Sequence, residues 1–181
     1  MLPTIQKLRL KIVWFLFVPF LYFVDPSAKL LVIGILFGLV GLMIRAWAAG
    51  LVSKNKELAI QGPYAYTRNP LYIGSIFLCI GVTMVGGQWF FMILILIFYL
   101  SLYHIIARRE EIELEKIFGE EYRAYARVVP FFIPSCSPYV KTGAIDRKFS
   151  MAQYIRNREW EVSLGSVIGY GFLVLKFLLL S

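Results

Sequence analysis

The sequence is poor in charged residues. Asp, Glu, Lys and Arg make up 17% of its 181 residues, whereas hydrophobic types make up 59%. A soluble globular domain has about 25% charged residues, so this chain has too little charge to cover a surface that faces water on all sides. A mean hydropathy of +0.70 agrees with this. The composition excludes an ordinary soluble domain and indicates a membrane protein in contact with lipids.

Histidine and cysteine are also scarce. His104 is the single histidine, and the two cysteines, Cys79 and Cys136, have no partner at metal-ligand spacing. A disulfide framework is excluded, and we expect no protein-bound metal. The first apolar run contains Pro19 and has no small-residue cleavage pattern after it, so we expect a retained span instead of a cleaved signal peptide.

Apolar runs predict an all-α fold, a polytopic membrane helical bundle with about five spans. Crossing a bilayer takes about 20 residues. The third and fourth runs are short and are separated only by residues 86–88, Gly-Gly-Gln, so a tight helical hairpin is expected there. The five runs are Leu10–Val24, Leu30–Leu51, Leu71–Val85, Trp89–Tyr103 and Val162–Leu180.

The net charge is +8, and the positions of the basic residues indicate membrane topology and do not indicate nucleic-acid binding. Lysine and arginine residues lie between the apolar runs and form no continuous stripe, and cytosolic loops of membrane proteins carry such an excess. We therefore expect the N-terminus, residues 52–70 and residues 104–160 in the cytosol, and the C-terminus on the other side. The two most polar segments would then lie on one face and build one site.

The first candidate site is residues 61–74, Q-G-P-Y-A-Y-T-R-N-P-L-Y-I-G. Glycine and proline at 62 and 63 mark a turn, and Pro70 suits the first turn of a helix. By residue type alone, this segment is typical of an interfacial loop in which tyrosines form an aromatic belt and Arg68 reaches lipid phosphates.

The second candidate site lies in residues 108–127. Their apolar residues recur with the period of an α-helix, which predicts an amphipathic cytosolic helix. On this helix Glu110 is predicted at the centre of the apolar face and Glu111 at its edge. An unpaired buried charge is costly, so two interpretations stay open. One is a structural ion pair with an arginine; the second is contact with a cationic or polyhydroxylated ligand. The arginine candidates are Arg45, Arg68 and Arg108.

Together the two segments resemble the signature of the isoprenylcysteine carboxyl methyltransferase family, to which phospholipid methyltransferases are related. The first half, G-x-Y-x-x-x-R-x-P-x-Y-x-G, occurs at residues 62–74. The second half, E-E-x-x-L-x-x-x-F-G-x-x-Y-x-x-Y, occurs at residues 110–125 and is followed by Val129 and Pro134. The resemblance covers about residues 56–134.

The resemblance implies an enzyme that uses S-adenosyl-L-methionine to methylate a lipid-like or prenylated small-molecule substrate. It identifies no catalytic residue, but Arg68, Asn69 and Glu110 are candidates for positioning the reactants. Arg68 and Arg45 are candidates for contacting the substrate. The residues that it implies for cofactor binding are Leu58, Ala59, Tyr64, Asn69, Pro70, Leu71, Tyr72, Glu110 and Glu111.

Two departures from the family pattern bear on the acceptor. Asn69 stands where the family has histidine, and it can form hydrogen bonds but cannot titrate near neutrality. Ile106 stands where isoprenylcysteine enzymes have an arginine suited to a carboxylate. Oxygen and nitrogen acceptors therefore both stay open. Two further classes of protein also stay open: an NADPH-dependent lipid enone reductase, which the second motif argues against, and a non-catalytic membrane scaffold.

Three segments are predicted along the chain. Residues 1–55 form N-terminal transmembrane helices, residues 56–134 form the methyltransferase-like core, and residues 135–181 form a basic tail and the last span. Gly165 and Gly169 in that span have helical G-x-x-x-G spacing, which predicts a homodimer contact. Arg45, inside the second span, is expected either to reach the interface or to contribute to a polar pocket.

Overall fold

The computed structural model describes residues 20, 22–53, 57–87, 89–141 and 147–180, and every regular element within them is helical. The predicted all-α fold is therefore confirmed. The elements are α1 (Ala28–Leu51), a 3-10 turn (Gly62–Ala65), α2 (Pro70–Val85), α3 (Trp89–Phe118), α4 (Glu120–Val128), α5 (Met151–Arg156) and α6 (Glu159–Leu180).

Three helices, α1, α3 and α6, are long and apolar enough to cross a membrane, and α2 is a shorter apolar helix. They match the second to fifth predicted spans. Most of the first predicted span, Leu10–Val24, lies outside the described residues. Its described part contributes Phe20 and Val24 to a small core with Val85 and Leu173, which joins α2 and α6 at one end of the bundle.

Helices α1 and α2 are antiparallel and pack closely because glycines face each other where they cross. A Cβ atom added to Gly41 would lie 2.5 Å from the Gly74 carbonyl oxygen, and one added to Gly81 would lie 2.5 Å from the Gly34 carbonyl oxygen. Side chains are therefore excluded at these positions. Such close backbone approach through small residues is a common way to pack helices in membranes.

The glycines of α6 have different surroundings. Among the described residues, nothing lies within 4 Å of a Cβ atom added to Gly165 or Gly169. The homodimer contact through these two glycines stays a prediction, because small residues on an open helix face do not identify what packs there.

Helices α2 and α3 form the predicted hairpin. Gly87 has a φ of 61°, which glycine adopts without steric cost, and the chain reverses there. The Tyr99 hydroxyl donates a hydrogen bond to the Tyr72 carbonyl oxygen at 3.3 Å, as antiparallel neighbours allow. Helix α3 has 30 residues and is about 45 Å long. Its charged end, from Arg108 onward, therefore extends beyond an apolar layer of about 30 Å.

The prediction of one continuous amphipathic helix through residue 127 is wrong. Gly119 has a φ of 54°, a left-handed conformation that ends α3 and lets α4 start in a new direction. The helical period of residues 120–127 is real, but it belongs to a separate helix. Residues before and after Gly119 therefore do not share one face.

The segment after Pro134 is docked onto the bundle. Backbone hydrogen bonds join Ser135 to the Tyr66 carbonyl at 2.9 Å and Tyr139 to the Ala65 carbonyl at 2.8 Å. Further along, the Asn157 side chain donates to the carbonyl oxygens of Ala49 and Val52 at 2.8 and 3.0 Å. Those carbonyls are at the end of α1, where a helix leaves acceptors unpaired. The described part of the basic tail thus caps α1 and covers the loop before α2.

Candidate functional site

The two predicted motifs meet at one end of the bundle. Arg68, from the loop before α2, forms an ion pair with Glu111 of α3. Glu111 also accepts hydrogen bonds from Arg108 and from the Tyr122 hydroxyl, each at 3.0 Å. Burial, followed by the charge of Glu111, raises the pKa of Tyr122 to about 12, so this hydroxyl stays protonated and donates. Glu111 therefore joins both motifs to α4.

The predicted position of Glu110 on the packed face of α3 is wrong. Glu110 is exposed, whereas Ala107, Glu111, Leu114 and Phe118 form the more protected face, at the spacing of one helix side. The error follows from the helix break at Gly119, because a single helical wheel through residue 127 places residues beyond that glycine on the same face. Of the two neighbouring glutamates, Glu111 is the one that forms a structural ion pair with an arginine.

Glu110 contacts the first motif from its exposed position. The Tyr72 hydroxyl donates a hydrogen bond to Glu110 Oε2 at 2.8 Å. A carboxylate has about four lone-pair sites, so Glu110 can accept further hydrogen bonds from a ligand that approaches from solvent. The structure thus brings together two of the residues that the resemblance implied.

Tyrosines of the hairpin form an aromatic wall beside this contact. The rings of Tyr99 and Tyr103 stack with centroids 3.9 Å apart, and the ring of Tyr103 packs edge-on against Tyr72 at 4.8 Å. Sequence reasoning missed Tyr99 and Tyr103, because both lie in the apolar run that predicts the fourth span. Their spacing of four residues, one helical turn, was the available signal.

Tyr64 lies behind the same region. Its side chain is buried, and its carbonyl oxygen accepts a 2.7 Å hydrogen bond from the Tyr125 hydroxyl. Burial raises the pKa of Tyr64 above its usual value, and the neighbouring Tyr125, Glu110 and Glu159 raise it further. Tyr64 is therefore a neutral phenol near the Glu110 carboxylate.

Arg45 lies inside the bundle, where it pairs with a carboxylate that sequence reasoning missed. Its guanidinium forms a two-pronged ion pair with Glu159, in which Nη2 is 3.0 Å from Oε2. It also donates to Ser75 and to the Leu71 carbonyl oxygen. An arginine within an apolar helix needs a partner in the bundle, and Glu159 begins the last apolar helix. An arginine inside one apolar helix and a glutamate at the start of another were the sequence signal for this ion pair.

Asn69 holds a loop in place. Its side-chain amide donates to the Phe131 carbonyl oxygen at 2.8 Å, and the Arg68 backbone N–H donates to the Pro130 carbonyl oxygen at 3.0 Å. Asn69 is also buried. The amide thus fixes residues 130–132 against the start of α2, a role that requires no titration.

The remaining predicted cofactor residues are distributed around this end of the bundle. Pro70 is fully buried at the first turn of α2, and Leu71 and Ala59 are half-buried. Leu58 packs against an apolar cluster of α4 and its neighbours, separate from the contact between Tyr72 and Glu110. The cluster comprises Ile60, Tyr122, Tyr125 and Val129.

Comparisons with known proteins agree with the two motifs. The model of a family described as phospholipid methyltransferase matches residues 27–121. A protein-S-isoprenylcysteine O-methyltransferase of Schizosaccharomyces pombe is 34% identical over 85 residues, which cover 45% of this chain and 35% of that relative. The match therefore spans about a third of the relative's length. No solved structure matches the chain. The predicted resemblance is confirmed.

Proposed function

The chain belongs to the phospholipid methyltransferase family, and from this premise we propose that it transfers a methyl group from S-adenosylmethionine to a lipid-like acceptor in the membrane. The similarity to an S-isoprenylcysteine O-methyltransferase supports the same reaction class. The observation that carries the proposal is the hydrogen bond between Tyr72 and Glu110, because it joins the two motifs beside an aromatic wall that a ligand can reach.

The residues around the contact between Tyr72 and Glu110 fit the chemistry of the methyl donor. S-adenosylmethionine supplies an electrophilic methyl group on a sulfonium, and it also carries an ammonium and a ribose diol. Glu110 can accept hydrogen bonds from the ammonium or the diol. The aromatic faces of Tyr72 and Tyr103 attract a cation, and Tyr64 stays neutral. These residues would bind and orient the donor, and positioning is the main contribution that such a transfer requires.

We further propose that Glu111 and Asn69 act indirectly. The resemblance implies cofactor contact for both, but Glu111 is engaged by Arg68, Arg108 and Tyr122. Asn69 is engaged by the Phe131 carbonyl. Both residues therefore hold the loop and α3 in register, and they let Tyr72 meet Glu110. In this role asparagine can replace the family's histidine.

A nitrogen acceptor is the second candidate within this proposal. Arg45 is neutralised by Glu159 and Arg68 is paired with Glu111, so neither arginine is poised for a carboxylate acceptor beside Tyr72 and Glu110. An amine headgroup needs no such cation, and it is attracted by Glu110. The acceptor's apolar part would enter from the bilayer along the exposed apolar residues of α3, which include Phe90, Ile93 and Ile97.

Ligand binding to the detergent-purified chain tests the donor site. By calorimetry, we expect S-adenosylhomocysteine to bind and NADPH not to bind. Glu110→Gln should weaken S-adenosylhomocysteine binding about tenfold or more, the factor expected when a charge-assisted hydrogen bond is lost. Glu113→Gln, a change at an exposed residue of the same helix, is the matched control and should bind normally. Binding of NADPH alone would indicate a reductase and contradict the proposal.

A further inference from the structure

A cavity lies between α3 and α4, on the side of α3 that faces away from Glu110. Its volume is about 420 Å³, and its lining includes Glu111 and Glu115 of α3 but not Glu110. At about 100° per residue, the lining positions of α3 point roughly opposite to Glu110. This cavity is therefore distinct from the contact between Tyr72 and Glu110, where we place the methyl donor.

The cavity carries an excess of positive charge. Four arginines line it against two glutamates. Glu111 is shared between Arg68 and Arg108, and Glu115 pairs with Arg123 at 3.1 Å. Arg123 and Arg127 also pair with Glu120, which lies outside the lining, at 3.5 Å each, so one positive charge remains after these pairs. This excess disfavours a cationic ligand such as the sulfonium donor and favours an anion. The four arginines are Arg68, Arg108, Arg123 and Arg127.

The Arg68 guanidinium also has an unsatisfied donor. Its Nε atom is buried and has no hydrogen-bond partner in the described part of the chain. Leaving a charged donor unpaired is costly. The guanidinium carbons of Arg68 and Arg108 lie 5.5 and 4.6 Å from the centre of the same ring, that of Phe131. Contact with one ring and with the Glu111 carboxylate thus keeps two guanidinium groups close together, an arrangement suited to phosphate oxygens.

The depth of the cavity indicates the source of the phosphate. Arg68 lies just before α2, and Arg108 is the first charged residue of α3 after the apolar residues 89–107. Both arginines therefore mark the boundary of the apolar layer. Glu115 lies seven residues beyond Arg108, about 10 Å along the helix. The headgroup layer is roughly 5–8 Å thick, so the cavity lies at its level.

We propose that this arginine cavity binds the phosphate group of a membrane phospholipid. Arg108 and Arg123 bind the phosphate oxygens, and Arg68 completes the site from below. The proposal does not depend on methyl transfer, since it concerns binding at a separate cavity.

Short-chain lipids in a phosphate-free neutral detergent test this proposal by calorimetry. The probes are dihexanoyl phosphatidylglycerol, dihexanoylglycerol without the phosphate, and inorganic phosphate. Wild-type protein should bind the phosphatidylglycerol at least tenfold more tightly than it binds the diacylglycerol or the free phosphate. Arg108→Gln and Arg123→Gln should each weaken it roughly tenfold, the factor for one hydrogen bond between charged groups. Arg109→Gln, at an exposed neighbour outside the cavity lining, should leave it unchanged.

Three results would overturn the proposal. Equal binding of inorganic phosphate would assign the cavity to a free anion. Equal loss of binding in Arg109→Gln would show attraction to general surface charge only. Displacement of the lipid by S-adenosylhomocysteine would show that the cavity belongs to the methyl-donor site. A melting temperature measured for each variant separates loss of binding from loss of folding, and rescue by Arg108→Lys would support a direct charge contact.

Discussion

At the scale of single residues, two neighbouring glutamates have different surroundings. Glu110 is exposed and accepts a hydrogen bond from Tyr72, whereas Glu111 is shielded and surrounded by donors. One helical step of about 100° separates them, and that step decides which carboxylate meets solvent. The sequence predicted that both glutamates belong to the site. It could not predict which faces the packed side, because that depends on where α4 begins after Gly119.

Glu111→Gln should lower the stability of the protein more than it weakens binding of the methyl donor. The side chains of Arg68 and Glu111 are only 16% and 12% exposed, so removing the carboxylate leaves a shielded guanidinium without its partner. We expect a loss of about 3 kcal/mol in the free energy of unfolding. Thermal unfolding in detergent measures this, with Glu113→Gln as a control that should change stability by less than about 0.5 kcal/mol. Equal melting temperatures for the two variants would contradict the assigned role of Glu111.

The ion pair between Arg45 and Glu159 is buried, and we predict how its removal changes the stability of the protein. Glu159→Gln should cost about 3–5 kcal/mol, since it leaves the Arg45 charge buried without compensation. Replacing both residues by methionine should recover most of that stability, because two apolar side chains need no partner. Melting temperatures of the single and double variants measure this. A double variant as unstable as the single one would show that Arg45 has further essential contacts.

At the scale of elements, helix identity was predictable and helix packing was not. Apolar runs predicted α1, α2, α3 and α6, because a span length and a glycine pair are local signals. Gly34 and Gly38 of α1 have the same G-x-x-x-G spacing as the glycines of α6, but the spacing alone does not say which helix packs against it. The G-x-x-x-G pattern in α6 predicted a helix contact, whereas the tight contacts involve Gly34 and Gly81.

Gly81→Val should therefore disrupt the crossing of α1 and α2. A Cβ atom at this position would lie 2.5 Å from the Gly34 carbonyl oxygen and 2.8 Å from the Gly38 backbone nitrogen, and backbone cannot move aside easily. We expect a loss of several kcal/mol, typical of forced overpacking at a rigid site. Gly171→Val is the matched control, because nothing among the described residues lies within 4 Å of a Cβ atom added there and Gly171 is outside the predicted dimer contact. If both variants melted at the same temperature, close packing at Gly81 would be refuted.

At the scale of the whole molecule, the chain's polar parts gather at one end of the bundle. The loop before α2, the outer end of α3, α4 and the start of α6 meet there through Arg68, Glu111 and the pair of Arg45 with Glu159. The sequence predicted that the first two of these segments share a side from their positive charge. It did not predict that the tail completes this end, since the tail's contacts are long-range hydrogen bonds without a local pattern.

The proposal that this end faces the cytosol makes a labelling prediction. Cys136 is exposed in the loop after α4, and Cys79 is partly buried within α2. A membrane-impermeant maleimide should leave Cys136 unlabelled in intact cells and label it after permeabilisation. Cys136→Ser should abolish that labelling, which controls for Cys79. Labelling of Cys136 in intact cells would reverse the proposed orientation.

Methyl transfer itself tests the central claim most directly. Purified protein would be incubated with S-adenosylmethionine labelled in its methyl group and a total lipid extract, and the label in the lipid phase would be counted. We predict label in lipid for the wild-type chain and for Glu113→Gln, and at least a tenfold smaller amount for Glu110→Gln, since that variant loses a charge-assisted contact with the donor. The absence of label from the lipid phase with folded wild-type protein, or equal labelling by Glu110→Gln, would contradict the proposed site and reaction.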